Sequence, residues 1–124
     1  MDMKPVIFAS IMLSAALFAG AAAVGAPAPQ GDAKKGKAAY DHYGCYTCHG
    51  TEGQGAAATG KKLAPNPLPY AAFSGFVRTT SLAMPPFTEQ ILPEPDLADI
   101  HAYLRSIPPS PNPATIPLLQ EAGK

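Results

Sequence analysis

Hydrophobic positions fall along this chain in separate patterns, and each pattern predicts its own element. Residues 6–18 are uncharged and mostly apolar, with Lys4 before them and Ala- and Gly-rich sequence after. A positive end, an apolar stretch and then small residues predict an export signal peptide over residues 1–26. Cleavage is expected after Ala23 or Ala26, with Pro27 counting against the second. No charge occurs over residues 6–26, so the stretch is also long enough to persist as a membrane anchor. Its second half, however, is only weakly hydrophobic. Near the other end, Leu97, Ile100, Leu104 and Ile107 recur at spacings that give one apolar stripe on a helix. Pro95 suits the first turn of that helix, Asp96 favours its positive end, and Pro108-Pro109 stops it.

The middle of the chain is more broken. Asp32 is placed to cap a helix over residues 33–43, ended by Gly44. Residues 50–60 hold four glycines and predict a loop. Pro65, Pro67 and Pro69 keep the next segment extended or turned. A short helix is expected over residues 70–77, with Phe73, Phe76 and Val77 on one side, and Pro85-Pro86 break the chain again. Residues 109–124 form a proline-rich tail, expected to be disordered or to order only on contact. There is no internal repeat and no strand pattern, so the fold class is all-α.

At 124 residues the chain has room for one domain. Without the leader, roughly 100 residues remain to form a modest core. Chains of that size commonly draw missing stability from a disulfide, a metal or a cofactor. The 9 basic and 9 acidic residues cancel, and no basic stripe interleaved with aromatics points to nucleic acid. Lysines gather early (Lys34, Lys35, Lys37, Lys61, Lys62) and acids late (Glu89, Glu94, Asp96, Asp99). This asymmetry either orients the protein towards a charged partner or reflects solvated helix faces.

The chemistry is concentrated in Cys45-Tyr46-Thr47-Cys48-His49. Two thiols three positions apart can add to the two vinyl groups of a haem, and the adjacent imidazole is then held within reach of the iron. Haem attachment of this kind needs an oxidising export compartment, and the leader supplies that context independently. Three other chemistries compete. A thioredoxin-type redox pair calls for a surrounding βαβ pattern, which is absent. A structural zinc site calls for two more ligands at a second knuckle, and the chain has no other cysteine. A plain structural disulfide has no use for His49.

A second axial ligand follows by elimination. Met1, Met3 and Met12 lie in the leader, leaving Met84, in Ser81-Leu82-Ala83-Met84-Pro85-Pro86-Phe87. A loop stiffened by two prolines suits a soft, neutral thioether that must be held in place. A lone methionine is more often core filler, but no apolar helical periodicity surrounds this one. His42 and His101 are the rivals, the first at the end of the first helix, the second on the flank of the last.

These anchors, together with Gly31-Asp32-Ala33-Lys34-Lys35-Gly36 and the closing Leu97-Ala98-Asp99-Ile100-His101-Ala102-Tyr103-Leu104-Arg105, resemble the class I cytochromes c over residues 31–108. The resemblance implies a cytochrome domain over residues 27–108, built of short helices and loops around one covalent haem c. Cys45 and Cys48 would bind the haem, and His49 and Met84 would bind its iron. It also implies that the first and last helices cross at a small residue, with Gly36 and Tyr40 against Ile100 and Tyr103. Phe76-Val77-Arg78 before the methionine loop looks most like small cytochromes that accompany bacterial dehydrogenases.

Three departures stand out. Gly60-Lys61-Lys62-Leu63 replaces the family's Gly-Pro-x-Leu, so the carbonyl of Lys61 would take the proline's place as hydrogen-bond acceptor for His49. An extra residue between Tyr40 and Cys45 leaves Tyr40 and Tyr43 as alternative packing aromatics. Pro93-Glu94-Pro95 stands where a serine or threonine often caps the last helix.

The function expected is outer-sphere electron transfer in the periplasm rather than catalysis. A dehydrogenase would be the donor and an oxidase or another cytochrome the acceptor, with membrane contact only if the N-terminal segment is retained. Leu63, Leu68, Phe73, Phe76, Phe87 and Leu104 are the candidate apolar pocket, whose burial would favour the ferrous state. One alternative is a dedicated cytochrome subunit of a dehydrogenase complex, with the tail as docking arm. The other is a haem enzyme or gas sensor in which Met84 does not ligate.

Overall fold

The computed structural model describes residues 28–121. The expected leader and its three methionines lie outside the described residues. Five helices follow in order: α1 Ala33–His42, α2 Tyr46–His49, α3 Tyr70–Thr79, α4 Glu94–Ser106 and α5 Pro117–Glu121, with a 3-10 turn at Pro113–Thr115 before α5. Among the described residues there is no strand, only an isolated bridge between Ala56 and Gly60, so the fold is all-α as expected.

Asp32 caps α1 as its position suggested, its carboxylate accepting from the amides of Lys34 at 2.8 Å and Lys35 at 3.0 Å. The same residue ties the helix to α4, because its own amide donates to Asp99 Oδ1 at 2.6 Å. At the other end, Gly44 adopts φ +74°, a conformation that glycine enters without steric cost. The amides of Gly44 and Cys45 then donate back to the carbonyls of Asp41 and Tyr40, both at 3.1 Å. This is the Schellman arrangement that closes a helix, and it delivers Cys45 directly off the end of α1.

α1 packs on α4 at Gly36. A β-carbon there would lie 1.9 Å from the carbonyl oxygen of Asp99 and 2.8 Å from Cβ of Tyr103, so only glycine permits the approach. One turn on, Tyr40 is fully buried and its ring meets that of Tyr103 at 5.5 Å between centroids, tilted by 57°. The choice between Tyr40 and Tyr43 is thereby decided: the Tyr43 hydroxyl instead donates to Asp96 at 2.6 Å, on the first turn of α4.

α4 starts with Pro93 at its cap position and Pro95 in its first turn, with no side-chain cap; Glu94 and Asp96 put negative charge at its positive end. Its buried face is wider than the four-residue stripe, taking in Ala98, His101 and Tyr103. His101 is a correction. Its ring was expected on the flank but is buried between Tyr70 (5.3 Å) and Phe73 (5.1 Å), with Nε2 donating to the carbonyl of Leu68 at 2.9 Å. Imidazole is polar at its nitrogens and flat and apolar at its faces, so one satisfied nitrogen is enough to bring it inside. The core comprises Tyr40, Ala64, Phe73, Val77, Leu92, Leu97, Ile100, Tyr103 and Leu104. α3 runs two residues beyond its expected end, and the tail carries the 3-10 turn, capped by Asn112, and the fully surface-exposed α5.

The α1–α4 contact makes a quantitative prediction. Gly36→Ala gains about 1 kcal/mol of helix propensity but loses about 3 kcal/mol to overpacking against the Asp99 carbonyl. A net destabilisation of about 2 kcal/mol is expected, read as a lower denaturant midpoint at unchanged slope; a stabilised variant would mean that the helices part freely.

Candidate functional site

Cys45 leaves the Schellman turn half-buried against the core, and the single turn of α2 places Cys48 exposed on the surface and His49 partly buried. Both thiols are free. Burial pushes the Cys45 thiol up to about 11, so it stays neutral at physiological pH. A catalytic redox pair depends on a thiol shifted the other way, towards thiolate. Among the described residues, no group of three or more His, Cys, Asp or Glu side chains gathers at metal-binding distance, so no zinc knuckle completes the two cysteines.

The glycine-rich stretch after His49 folds back on the motif. The amide of Gly55 donates to the His49 carbonyl at 2.7 Å, and the amides of Leu63 and Ala64 donate to the Gly53 carbonyl at 2.7 and 3.0 Å. Thr59 Oγ1 donates to the Cys48 carbonyl at 3.1 Å. Gly60 passes so close that a β-carbon would meet the Cys48 carbonyl oxygen at 2.4 Å and His49 Nδ1 at 3.0 Å. The next residue's carbonyl, that of Lys61, then lies 2.7 Å from His49 Nδ1. A carbonyl can only accept, so Nδ1 carries the proton and Nε2 is left as the nitrogen with a free lone pair. The substitution of lysine for proline at this position changes nothing in that bond, because the acceptor is backbone.

Two tyrosines hold the motif from beneath. The Tyr40 hydroxyl donates to the Gly50 carbonyl at 2.7 Å, and the Tyr103 hydroxyl donates to the Thr51 carbonyl at 3.2 Å. The aromatic pair at the α1–α4 crossing is therefore also the floor under His49.

Met84 lies in the loop between α3 and α4, partly buried and packed against the same core cluster as Cys45. Leu63, Tyr70 and Phe87 share that margin. Of the other pocket candidates, Phe73 and Leu104 are buried, whereas Leu68 and Phe76 are 55% and 45% exposed. His42 is exposed, its ring edge-on to Tyr43 at 4.9 Å. The residues present suit a haem c: two free thiols, an imidazole with one nitrogen oriented and the other open, a thioether on a stiff loop, and an apolar margin joining them.

Periodicity did not reveal the polar cluster formed by Arg78, Glu94 and Tyr70. Arg78 Nη1 donates to the carbonyls of Phe87 at 2.9 Å and Leu92 at 2.6 Å, its Nη2 pairs with Glu94 at 2.9 Å, and the Tyr70 hydroxyl donates to the other Glu94 oxygen. The only sequence signal was a lone cation at the end of an otherwise uncharged helix.

A protein-family model described as cytochrome C oxidase, cbb3-type, subunit III matches residues 31–104. No curated protein and no solved structure matches the chain.

Removing the Tyr40 hydroxyl tests the floor of the site. Tyr40→Phe leaves the Gly50 carbonyl without its donor, and a loss of about 1–2 kcal/mol is expected in guanidinium unfolding. An unchanged midpoint would mean that this hydrogen bond does not support the turn after His49.

Proposed function

Because this chain belongs to the c-type cytochromes, in the family of cbb3-type oxidase subunit III, we infer that His49 and Met84 are the two axial ligands of its covalent haem. Electron transfer through a haem is the work of that family; the ligand set, the compartment and the partners are the inference. The observation that carries it is the 2.7 Å bond from His49 Nδ1 to the Lys61 carbonyl, which leaves Nε2 for the iron beside the two cysteines.

A haem c bound here supplies a one-electron ferrous–ferric couple. The chain does the rest. Cys45 and Cys48 would tether the group through thioether bonds. The carbonyl of Lys61 fixes the tautomer and orientation of His49 and raises its basicity as a ligand. Met84 offers a soft, uncharged sulfur, which favours the reduced form and raises the potential relative to a second histidine. Leu63, Phe87 and the exposed Leu68 and Phe76 supply apolar surface that a flat macrocycle would cover, keeping water from the ferric charge. The burial of the His101 ring between Tyr70 and Phe73 supports Met84 over it as the second ligand. With His49 and Met84 both bound to the iron, no substrate would enter, and a partner would dock weakly and transiently.

The working compartment is the periplasm, with a dehydrogenase as donor and an oxidase or another cytochrome as acceptor. Among the described residues no helix is long and apolar enough to cross a membrane. A second reading, a dedicated subunit of a dehydrogenase complex, draws on α5, where Leu118 is 77% and Leu119 is 52% exposed.

Met84→Ala decides the ligand. The ferric wild type is expected to show the weak near-infrared band of sulfur-to-iron charge transfer, and the variant to lose it and drop in reduction potential. A wild type without that band would remove Met84 from the iron and bring His42 forward.

A further inference from the structure

Residues 80–93 carry Met84 between α3 and α4 and contain no regular element. A thioether is a weak ligand, so the sulfur stays on iron only if its loop is fixed independently. The fixed point is Phe87. Its amide donates to the Val77 carbonyl at 2.9 Å, and its carbonyl accepts from Arg78 Nη1 at 2.9 Å. Both main-chain groups of Phe87 are thus pinned to the last turn of α3. Between Phe87 and Met84 lie only Pro85 and Pro86, whose backbone is too stiff to absorb a displacement.

We propose that Arg78 is a positioning residue for Met84, its guanidinium fork fixing the Phe87 carbonyl and through Pro85-Pro86 the sulfur. Arg78 also holds the far end of the loop through the Leu92 carbonyl at 2.6 Å and Glu94 at 2.9 Å. The side chain is 17% exposed, so these bonds are poorly screened. The Tyr70 hydroxyl, and then Arg78, hold the Glu94 carboxyl below its usual range, so the ion pair outlasts acidification that would protonate an ordinary glutamate. Three acceptors in fixed directions suit a planar fork with five donors; a lysine ammonium cannot reproduce that geometry. The role rests on Met84 being the second iron ligand, and the test separates the two claims.

The experiment is imidazole titration of the ferric holoprotein, following loss of the sulfur-to-iron band, in wild type, Arg78→Gln, Arg78→Lys and Ile100→Val. Imidazole competes with the sulfur for iron, so its apparent dissociation constant reads how firmly Met84 is held in the folded protein. About a tenfold fall is expected in Arg78→Gln, as for other groups that orient a ligand without touching the metal, with a smaller fall in Arg78→Lys. Ile100→Val lowers global stability in the α1–α4 core and should leave the constant unchanged. Wild-type imidazole affinity in both Arg78 variants overturns the proposal, and so does an equal fall in Ile100→Val. If Arg78→Gln yields no holoprotein, Arg78→Lys carries the test. A wild type without the band overturns Met84 ligation, and the positioning role with it.

Discussion

Where α1 crosses α4, the two backbones lie so close that a β-carbon on Gly36 would sit 1.9 Å from the Asp99 carbonyl oxygen. That contact sets the depth of α1, and the depth of α1 sets Tyr40. Tyr40 faces Tyr103 inside the core and reaches the Gly50 carbonyl with its hydroxyl, so the crossing and the turn after His49 are one rigid unit. The amide of Cys45 returns to the Tyr40 carbonyl, which anchors the first thiol to the same residue. A small core can hold a reactive motif steady because one aromatic side chain serves both helix packing and the motif's backbone.

On the other side of His49, backbone does the holding. The loop from Gly50 to Lys61 is irregular but not loose: the Gly55 amide donates to the His49 carbonyl, the Thr59 hydroxyl to the Cys48 carbonyl, the Gly53 carbonyl accepts from Leu63 and Ala64, and the Lys61 carbonyl is aimed at His49 Nδ1. The methionine loop is organised differently. Its backbone closes a turn from Thr88 to Leu92 and ties the Phe87 amide to Val77, and the guanidinium of Arg78 restrains it further at Phe87, Leu92 and Glu94. On the proposed ligand set, the strong ligand would be positioned by local backbone and the weak one by a long-range side-chain clamp. That division matches what each ligand needs, since a thioether adds little binding energy of its own with which to order a loop.

Much of this was legible in the chain. Cys45, Cys48 and His49 announce their chemistry by spacing, Asp32 and Gly44 mark the ends of α1, and the stripe from Leu97 to Leu104 marks α4. The illegible parts share a cause: they depend on partners that sequence does not pair. His101 looked like a flank residue because its polarity is visible in the sequence while the Leu68 carbonyl that satisfies it is not. Tyr40 and Tyr43 could not be ranked until the Schellman turn showed how the extra residue before Cys45 is absorbed. Arg78 stood out only as a lone cation, and its contacts gave no signal, because two of its three partners are main-chain carbonyls, which have no sequence signature.

Electron carriage of the proposed kind requires an iron whose two axial positions are both filled by the chain. Carbon monoxide binding to the reduced wild-type protein tests this most directly, since carbon monoxide needs an open ferrous position. No rapid adduct is expected on mixing, only slow binding limited by release of Met84. Fast, stoichiometric binding would contradict it and make this chain a haem enzyme or gas sensor rather than an electron carrier.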